Sequence, residues 1–503
     1  MSYATRLLLV LTSASVASEV RRQIEEVWEN QREALEEIML SFVTTEISPA
    51  TMFDFETQLA ERMRELARQL LQRVLNRLEA ADPQAMPHDV QHQGGGYRRL
   101  NRKTRNAHLS TLFGTIELWR WPYRDWQRDA AEACLFPLEI ALGLVHGATP
   151  ALVEAVGRWM AEAGATQQSV LSRLRAEHGV CWGAKRLRQV TEELSTAFED
   201  LTPECQVARL LELLKKAEKS GGSRRPVLSA GRDGVTLREY RYRFFEYATV
   251  ATVSVYDRAG RRLGTVYLAR APELGQEQMT ERLTALIEEV LRRWEGPLPR
   301  LTYVTDAGDS ETKYYDQVLS KMAHPRTGEK LHWIRIVDYY HAAERIWTMA
   351  EALFGKDHRA GHGWARRMCR LLKKPAGPFR VLHSAAALRK RRRVSKSRAA
   401  EFRKAYQYIR RRTKLMQYHE CQRLHLPIGS GVTEAACKTI VTQRLKLSGM
   451  RWTKQGAQTI LNLRIALLSR VWSCAYRKLL ETYHTQQPRP YGPIPHSAMQ
   501  QTA

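Results

Sequence analysis

The strongest constraint on the fold is a change in hydrophobic periodicity at a polar segment, Lys215 to Arg225, which contains Gly221-Gly222-Ser223. Before this segment, apolar residues recur at intervals of three and four, which indicates amphipathic helices. After it, Val- and Thr-rich runs predict strands at Pro226 to Gly231, Tyr247 to Tyr256 and Gly264 to Ala269. We therefore expect a linker at 215–225 and a separate α/β domain behind it.

Behind these strands, helices and strands alternate. Three strands in an antiparallel meander, followed by such an alternation, are the order of an RNase H-like core. We therefore predict an α/β fold with an RNase H-like catalytic core. The segments in question are the helix Gln278 to Trp294, the strand Leu301 to Thr305, the helix Tyr314 to Met322, the strand His332 to Val337 and the helix His341 to Phe354.

The next part of the chain interrupts that alternation. It has helical composition throughout, so we expect an all-helical insertion at about 356–425 within a catalytic domain of residues 226–475. Residues 476–503 are expected to form a C-terminal tail.

The chain before the linker is predicted to be mainly helical. Residues 1–90 contain an amphipathic stretch from Val16 to about Ala81, which suits packing or self-association. Residues 91–214 contain a flexible basic segment at Gln91 to Asn106 and a short strand pair at Ser110 to Tyr123. We predict that this second region binds DNA.

Two helices joined at His178-Gly179-Val180 form the candidate DNA-reading element of that region. Thr166 to Glu193 has the pattern of a helix-turn-helix, whose second helix enters the major groove of DNA. Lys185 and Arg186 lie on the second helix and are candidate DNA contacts. Other helical hairpins share this pattern, so a purely structural pair of helices is the alternative.

Three acidic residues occupy positions from which their side chains can converge. Asp233 follows the first strand of the α/β domain, and Asp306 follows the buried strand. Glu434 lies in the first turn of a predicted helix, behind Gly429-Ser430-Gly431, whose hydroxyl is expected to cap that helix. The alternative for Glu434 alone is an ordinary ion pair with Lys438 one turn further on.

A cluster of these acids predicts a metal site. Two carboxylates about 4 Å apart repel by roughly 4 kcal/mol at an effective dielectric of 20, so the cluster is poorly suited to a structural role without a cation. Two Mg²⁺ ions roughly 3.5–4 Å apart serve phosphoryl transfer, and hard cations require oxygen ligands. We predict that Asp233, Asp306 and Glu434 bind Mg²⁺, with Mn²⁺ as a possible substitute.

The net charge points to a polyanionic partner. The 79 Lys and Arg residues exceed the 53 Asp and Glu residues by 26, which favours nucleic acid first and an anionic membrane surface second. The basic runs are otherwise interpreted as solvated faces, and Trp452 as an ordinary packing residue. The further candidate DNA contacts are Arg389, Arg391, Arg392, Arg393, Arg444, Lys446, Arg451 and Trp452.

Cysteine spacing and hydropathy bear on the compartment. The seven cysteines include no C-x-x-C pair, which argues against a disulfide framework and a zinc site and favours a reducing cytoplasm. Arg6 followed by Leu7 to Leu11 weakly resembles a secretory signal, but its apolar core is short. No later run approaches the roughly 18 apolar residues of a membrane span. We expect a soluble protein of a reducing cytoplasm.

Several motifs taken together resemble one family. Over roughly residues 95–475 the chain is similar to bacterial insertion-sequence transposases of the ISKra group, distant relatives of the Mutator-like enzymes. The matching motifs are Arg232-Asp233-Gly234, Val304-Thr305-Asp306-Ala307-Gly308, Asp338-Tyr339-Tyr340-His341, Gly429 to Glu434, Arg444-Leu445-Lys446 and Ser448 to Trp452.

This resemblance implies a DDE transposase. It implies that Asp233, Asp306 and Glu434 are the metal-binding triad, and that Asp338 and His341 form an accessory motif. Such an enzyme binds the terminal inverted repeats of its element, cleaves DNA and joins the 3′-hydroxyl to target DNA, at least as a dimer. The alternatives are an inactive, transposase-derived DNA-binding protein and an RNase H-like nuclease without joining activity.

Overall fold

The structure is a computed structural model that describes residues 3, 14–125, 134–238 and 245–491. Arg6 and Leu7 to Leu11 lie outside these residues. The chain divides into two compact units. The first consists of Met1–Met160, Ala165–Ala197 and Tyr476–Ala503, and the second of Ala161–Gly164 and Phe198–Ala475.

The first unit begins with the predicted amphipathic region, which forms two helices, α1 (Ala14–Thr44) and α2 (Pro49–Arg77). The start of α2 is encoded locally. Ser48 accepts a hydrogen bond from the Thr51 amide, Thr51 reciprocates, and Pro49 occupies the first helical position.

Short strands follow the two helices. Their bounds are β1 (Asp89–His92), β2 (Gly95–Arg99), β3 (Thr104–Thr111), β4 (Gly114–Arg120) and β5 (Tyr123–Asp125). The strand Arg489–Tyr491 pairs with β1, β1 with β2 and β2 with β5, so residues predicted as part of the C-terminal tail complete this sheet. β3 and β4 form the predicted strand pair.

The segment Gln91 to Asn106 is more regular than predicted. The sequence predicts a flexible basic segment, but most of it lies in β1, β2 and the start of β3. Gln93 and Gly94 both have positive φ, 49° and 81°, as the tightest hairpin turns require. Gln93 and Gly94 therefore form the turn, and Gly95 and Gly96 pair with β1 as the first residues of β2.

Four helices complete the segment before the larger sheet: α3 (Pro137–Ala141), α4 (Pro150–Ala161), α5 (Gln167–His178) and α6 (Ala184–Glu218). The predicted helical pair corresponds to α5 and the start of α6, with Gly179 at φ 63° ending α5. α6 continues to Glu218, and its residues from Phe198 onward belong to the second unit. Val207, Leu210 and Leu214 hold that part of the helix in the core of the larger sheet. The boundary between the units thus precedes the predicted linker at 215–225.

The second unit contains a five-stranded mixed sheet. Its strands are β6 (Val227–Arg238), β7 (Phe245–Tyr256), β8 (Arg262–Arg270), β9 (Arg300–Thr305) and β10 (Trp333–Val337). Their order is β10-β9-β6-β7-β8. The predicted antiparallel meander β6-β7-β8 is confirmed, and β9 runs parallel to both β6 and β10.

Neighbouring residues of a strand point to opposite sides of the sheet, and both sides of this sheet are apolar and covered by helices. Leu228 and Tyr303 pack with α6 and α7 (Glu277–Arg293), whereas Val227 and Val304 pack with the other helices. The short helix α8 (Asp309–Gln317) lies on the face of Tyr303, where Tyr314 belongs to the same apolar cluster. The helices on the face of Val304 are α9 (Tyr339–Phe354), α10 (Arg359–Leu372), α11 (Gly377–Arg391), α12 (Lys396–Arg412) and α13 (Tyr418–Arg423). Residues 356–425 are thus helical, as predicted.

The last helices of the second unit carry the third acid. α14 (Gly431–Ala436) continues directly into a π-helical turn (Cys437–Thr442) and a short α15 (Gln443–Leu445). α16 (Lys454–Leu468) packs against β8. α17 (Trp472–Thr485) is the final helix described.

The cysteine spacing argues against a disulfide framework, but Cys205 and Cys474 form a disulfide bond, with their Cα atoms 6.0 Å apart. Cysteines 269 residues apart meet only through tertiary packing, which spacing along the chain does not reveal. Within the described ranges, no helix has both the length and the apolar character needed to cross a membrane.

Candidate active site

The three acids predicted to converge do so. Asp233 lies on β6 and Asp306 directly follows β9, the strand parallel to β6. Glu434 reaches the same place from α14. A cavity of about 190 Å³ is lined by Arg232, Asp233, Asp306, Tyr340, His341, Glu344, Ser430 and Glu434.

Asp233 is held through both carboxylate oxygens. Oδ1 accepts a hydrogen bond from the Gly234 amide at 2.7 Å, and the Cys437 thiol donates to Oδ2 at 3.5 Å. Burial raises the pKa of Asp233, and the negative charge of Asp306 raises it further. Burial also raises the pKa of the Cys437 thiol, as does the charge of Asp233, so the thiol keeps the proton that it donates.

Asp306 is positioned through its backbone by the helical region. The Tyr408 hydroxyl of α12 donates to the Asp306 carbonyl at 2.8 Å, and Arg412 donates to the Ala307 carbonyl at 3.0 Å. Ala307 has φ 60°, a left-handed conformation that residues with a side chain seldom adopt. The turn lets the Gly308 amide donate to Asp306 Oδ1 at 2.9 Å. α12 thus fixes the loop that carries the second acid.

A close contact between β6 and α14 sets the position of Glu434. A Cβ atom on Gly231 would lie 2.3 Å from Thr433 Oγ1, so only glycine permits this approach. Thr433 Oγ1 also hydrogen-bonds to Thr252 Oγ1 of β7 at 2.8 Å. The residue before Glu434 is therefore locked against the strand that carries Asp233.

Glu434 belongs to a network with the accessory motif. His341 donates from Nδ1 to Asp338 Oδ2 at 2.9 Å, and this nitrogen lies 3.6 Å from Glu434 Oε1. Ser430 Oγ lies 2.8 Å from Asp338 Oδ2 and 2.6 Å from Glu434 Oε1. The expected cap is therefore absent, since Ser430 bonds the two carboxylates instead of a backbone amide of α14. The alternative pairing of Glu434 with Lys438 is not formed among the described contacts.

The hydrogen bonds of the network shift the pKa values of its residues. The hydrogen bond that His341 donates to Asp338 raises the pKa of His341 to about 9, although burial disfavours the charged imidazolium. Burial disfavours ionised Asp338, but hydrogen bonds from His341, Tyr340 and Ser430 outweigh it and lower its pKa to about 2. Burial raises the pKa of Glu434, with a contribution from Asp338. Asp338 and His341 thus form a buried ion pair behind the third acid.

The donor set fits a hard divalent cation. Carboxylate oxygens of Asp233, Asp306 and Glu434 line one cavity, and their crowding favours a positive charge among them. Ligand atoms of Asp338, His341 and Glu434 also lie within 4.8 Å of one another. Asp338 is fully buried and already accepts three hydrogen bonds, which suits it to orienting its neighbours.

The predicted DNA contacts differ in exposure. Lys185, Arg391, Arg393, Lys446 and Arg451 are exposed. Arg389 is half-buried and donates to the Arg392 carbonyl, and Arg392 lies 3.8 Å from the centre of the Phe354 ring.

Three other candidates serve the fold. Arg444 is only 1% exposed, and its guanidinium lies over the Trp452 ring. Trp452 is half-buried and donates to the Leu445 carbonyl at 2.9 Å. Arg186 donates to the carbonyls of His146, His108 and Gly147. Arg444 is thus buried and the Arg186 guanidinium is held by three carbonyls, so both have structural contacts, and their contact with DNA stays a prediction.

Sequence reasoning missed several residues of the site. Gly231 carried a usable signal, because glycine inside a strand often marks a close backbone approach. Cys437 and Tyr408 carried none, since their roles depend on contacts across 204 and 102 residues.

The chain matches no protein-family model and no curated protein. A function is therefore supported by the geometry of the site and by the motifs of the sequence.

Proposed function

We propose that this chain is a metal-dependent enzyme that transfers phosphoryl groups in nucleic acid. The observation that carries the proposal is the convergence of Asp233, Asp306 and Glu434 on one cavity from two parallel strands and a helix. The strand order β10-β9-β6-β7-β8, with a meander and two parallel strands, supports an RNase H-like core. Residues 356–425 would be its helical insertion.

Within that class, we propose a DDE transposase of a bacterial insertion sequence. The motif resemblance supports this choice, and the net charge of +26 suits binding to double-stranded DNA. The substrates would be the terminal inverted repeats and a target DNA. Work on two DNA ends implies at least a dimer on DNA, and such a substrate places the enzyme in the cytoplasm, at the nucleoid.

The residues of the site have separable tasks. Asp233, Asp306 and Glu434 would hold divalent cations, which activate the attacking oxygen and stabilise the leaving oxygen of the scissile phosphate. Asp338 and Ser430 orient Glu434, and protonated His341 places a positive charge beside it. In the cleavage step water attacks phosphorus and the P–O3′ bond breaks. In the joining step the freed 3′-hydroxyl attacks a phosphate of the target strand, the P–O3′ bond of that strand breaks, and its 3′-oxygen leaves as a hydroxyl group.

The test is a cleavage and strand-transfer assay on labelled DNA that carries the terminal repeats flanking the gene, with Mg²⁺ or Mn²⁺. The native chain should nick the ends, and Glu434→Gln should bind the same DNA without cutting it. Glu420→Gln is the matched control, because Glu420 is paired with Arg423 and does not line the cavity. Binding without cutting by the native chain, with either metal, would favour the inactive DNA-binding protein. Cutting without joining would favour the nuclease.

A further inference from the structure

Cys437 lies between two of the acids. It follows Glu434 by three residues, so the two side chains share one face of the helix. Its Sγ atom is 3.5 Å from Asp233 Oδ2, and the side chain is only 7% exposed. It is not one of the two cysteines that form the disulfide bond.

The thiol contacts an oxygen of Asp233 that no other described hydrogen bond restrains. Oδ1 is held by the backbone amide of Gly234, which every residue except proline would supply at that position. Oδ2 is held by Cys437. Two donors on different elements define the plane of the carboxylate, whereas one donor leaves it free to rotate.

The helix changes from α-helical to π-helical geometry at Cys437. π-Helical turns are rare in proteins overall, and those that occur are often found at functional sites. Its carbonyls are satisfied from outside, because the buried Arg464 guanidinium donates to Ile440 at 3.0 Å and also to Thr439. The backbone after Cys437 is therefore held in place by a neighbouring helix.

We propose that Cys437 is a positioning residue, whose thiol orients Asp233 for binding a divalent cation. The inference rests on the proposed metal site and assigns a new residue to it. Groups that orient metal ligands through hydrogen bonds commonly change metal affinity about 10- to 100-fold when replaced. A thiol is a weak donor, so the lower end of that range is expected.

The experiment measures Mn²⁺ binding to the metal-free, full-length chain by the electron paramagnetic resonance signal of free Mn²⁺. Cys437→Val fills a similar volume without a donor, and it should weaken Mn²⁺ binding about 10-fold. Cys437→Ser keeps a donor, and it should bind within about threefold of the native chain. Cys421→Ala is the matched control, since Cys421 is also a buried free thiol but makes no described hydrogen bond to any of the three acids, and it should bind as the native chain does.

Asp233→Asn separates the two hypotheses. If it leaves Mn²⁺ binding unchanged, the proposed metal site is wrong. If it abolishes binding while Cys437→Val binds normally, the metal site stands and the role of Cys437 is wrong. Equal weakening by the Val and Ser variants also overturns the inference, because a positioning role requires rescue by the hydroxyl. Melting temperatures identify any variant that fails to fold, and Cys437→Ala, which also lacks a donor, replaces the Val variant if that one fails to fold.

Discussion

Ser430 has one hydroxyl proton and two carboxylate neighbours. It can donate to Asp338 or to Glu434, which lie 2.8 and 2.6 Å away, but not to both. Burial raises the pKa of Glu434, whereas hydrogen bonds lower the pKa of Asp338 to about 2, so the two carboxyl groups differ in acidity. Ser430 therefore joins the two carboxyl groups by donating a hydrogen bond to one of them at a time.

The charge of His341 gives the stability of the second unit a dependence on pH. Its pKa is raised to about 9, mainly by the hydrogen bond with Asp338, from an unfolded value of about 6.5. The stabilisation is complete below about pH 6.5 and is lost as the pH rises through 9. Urea unfolding in EDTA should show a larger loss of stability over this window for the native chain than for His341→Gln. Equal losses would contradict the assigned ion pair.

A methyl group added at Gly231 should disrupt the close contact between β6 and α14. In Gly231→Ala the new Cβ would lie 2.3 Å from Thr433 Oγ1 and 3.2 Å from the Val304 carbonyl. Because α14 must move away from β6, we expect a loss of about 1–3 kcal/mol in the free energy of unfolding. Metal binding should weaken as well, since Glu434 follows Thr433.

The control for this change is on the same strand. In Gly234→Ala the nearest atom to the new Cβ is 3.5 Å away, so its free energy of unfolding should change far less. Urea unfolding curves of both variants decide the point. Similar curves would show that the approach of α14 to β6 is not tight.

At the scale of elements, α12 combines two functions. Tyr408 and Arg412 face inward and hold the loop of Asp306. Arg403, Arg410 and Arg411 are exposed, and none has a carboxylate partner among the described ion pairs. The helix that fixes the second acid therefore also presents positive charge to solvent.

Arg391 and Arg393, which lie at the end of α11 and just after it, are exposed as well. Together with the exposed arginines of α12, they should account for part of the salt dependence of the proposed DNA binding. Each lost phosphate contact reduces the slope of log K against log salt by about 0.9, so replacing Arg391, Arg393 and Arg411 by Ala should reduce it by about 2 to 3. Arg292→Ala with Arg293→Ala is the control, since both arginines are paired with Glu289 and should leave the slope unchanged. Fluorescence anisotropy at several salt concentrations measures the slope. An unchanged slope in the triple variant would show that these arginines face solvent only.

Elements with strong local patterns were predictable from the sequence. The apolar spacing of α7 and the Val- and Thr-rich β7 each allow one structure, and both were predicted within two residues at each end. The segment Gln91 to Asn106 was not, because its strands depend on partners elsewhere in the chain, including Arg489–Tyr491. Asp306 directly follows its strand, as predicted, whereas β6 continues past Asp233 to Arg238, so Asp233 lies inside the strand and not at its end. The burial of Arg444 depends on packing that local sequence does not encode.

At the scale of the whole molecule, the disulfide bond links the two ends of the second unit. Cys205 lies near its start and Cys474 near its end. Closing so long a loop restricts the unfolded chain, so reduction should lower the free energy of unfolding by about 2–4 kcal/mol. Urea unfolding with and without dithiothreitol tests this, with Cys205→Ser as the variant that should not respond. An identical response of both proteins would contradict the bond.

The order of the three acids along the chain has a consequence for synthesis. Asp233 and Asp306 leave the ribosome well before Glu434, which arrives only after α9 to α13 have been made. A nascent or truncated chain therefore carries two of the three acids and an exposed basic surface, but not a complete site. A chain that ends before Glu434 therefore lacks one of the three proposed metal ligands, and we expect it to bind divalent cations at this site more weakly than the full-length chain does.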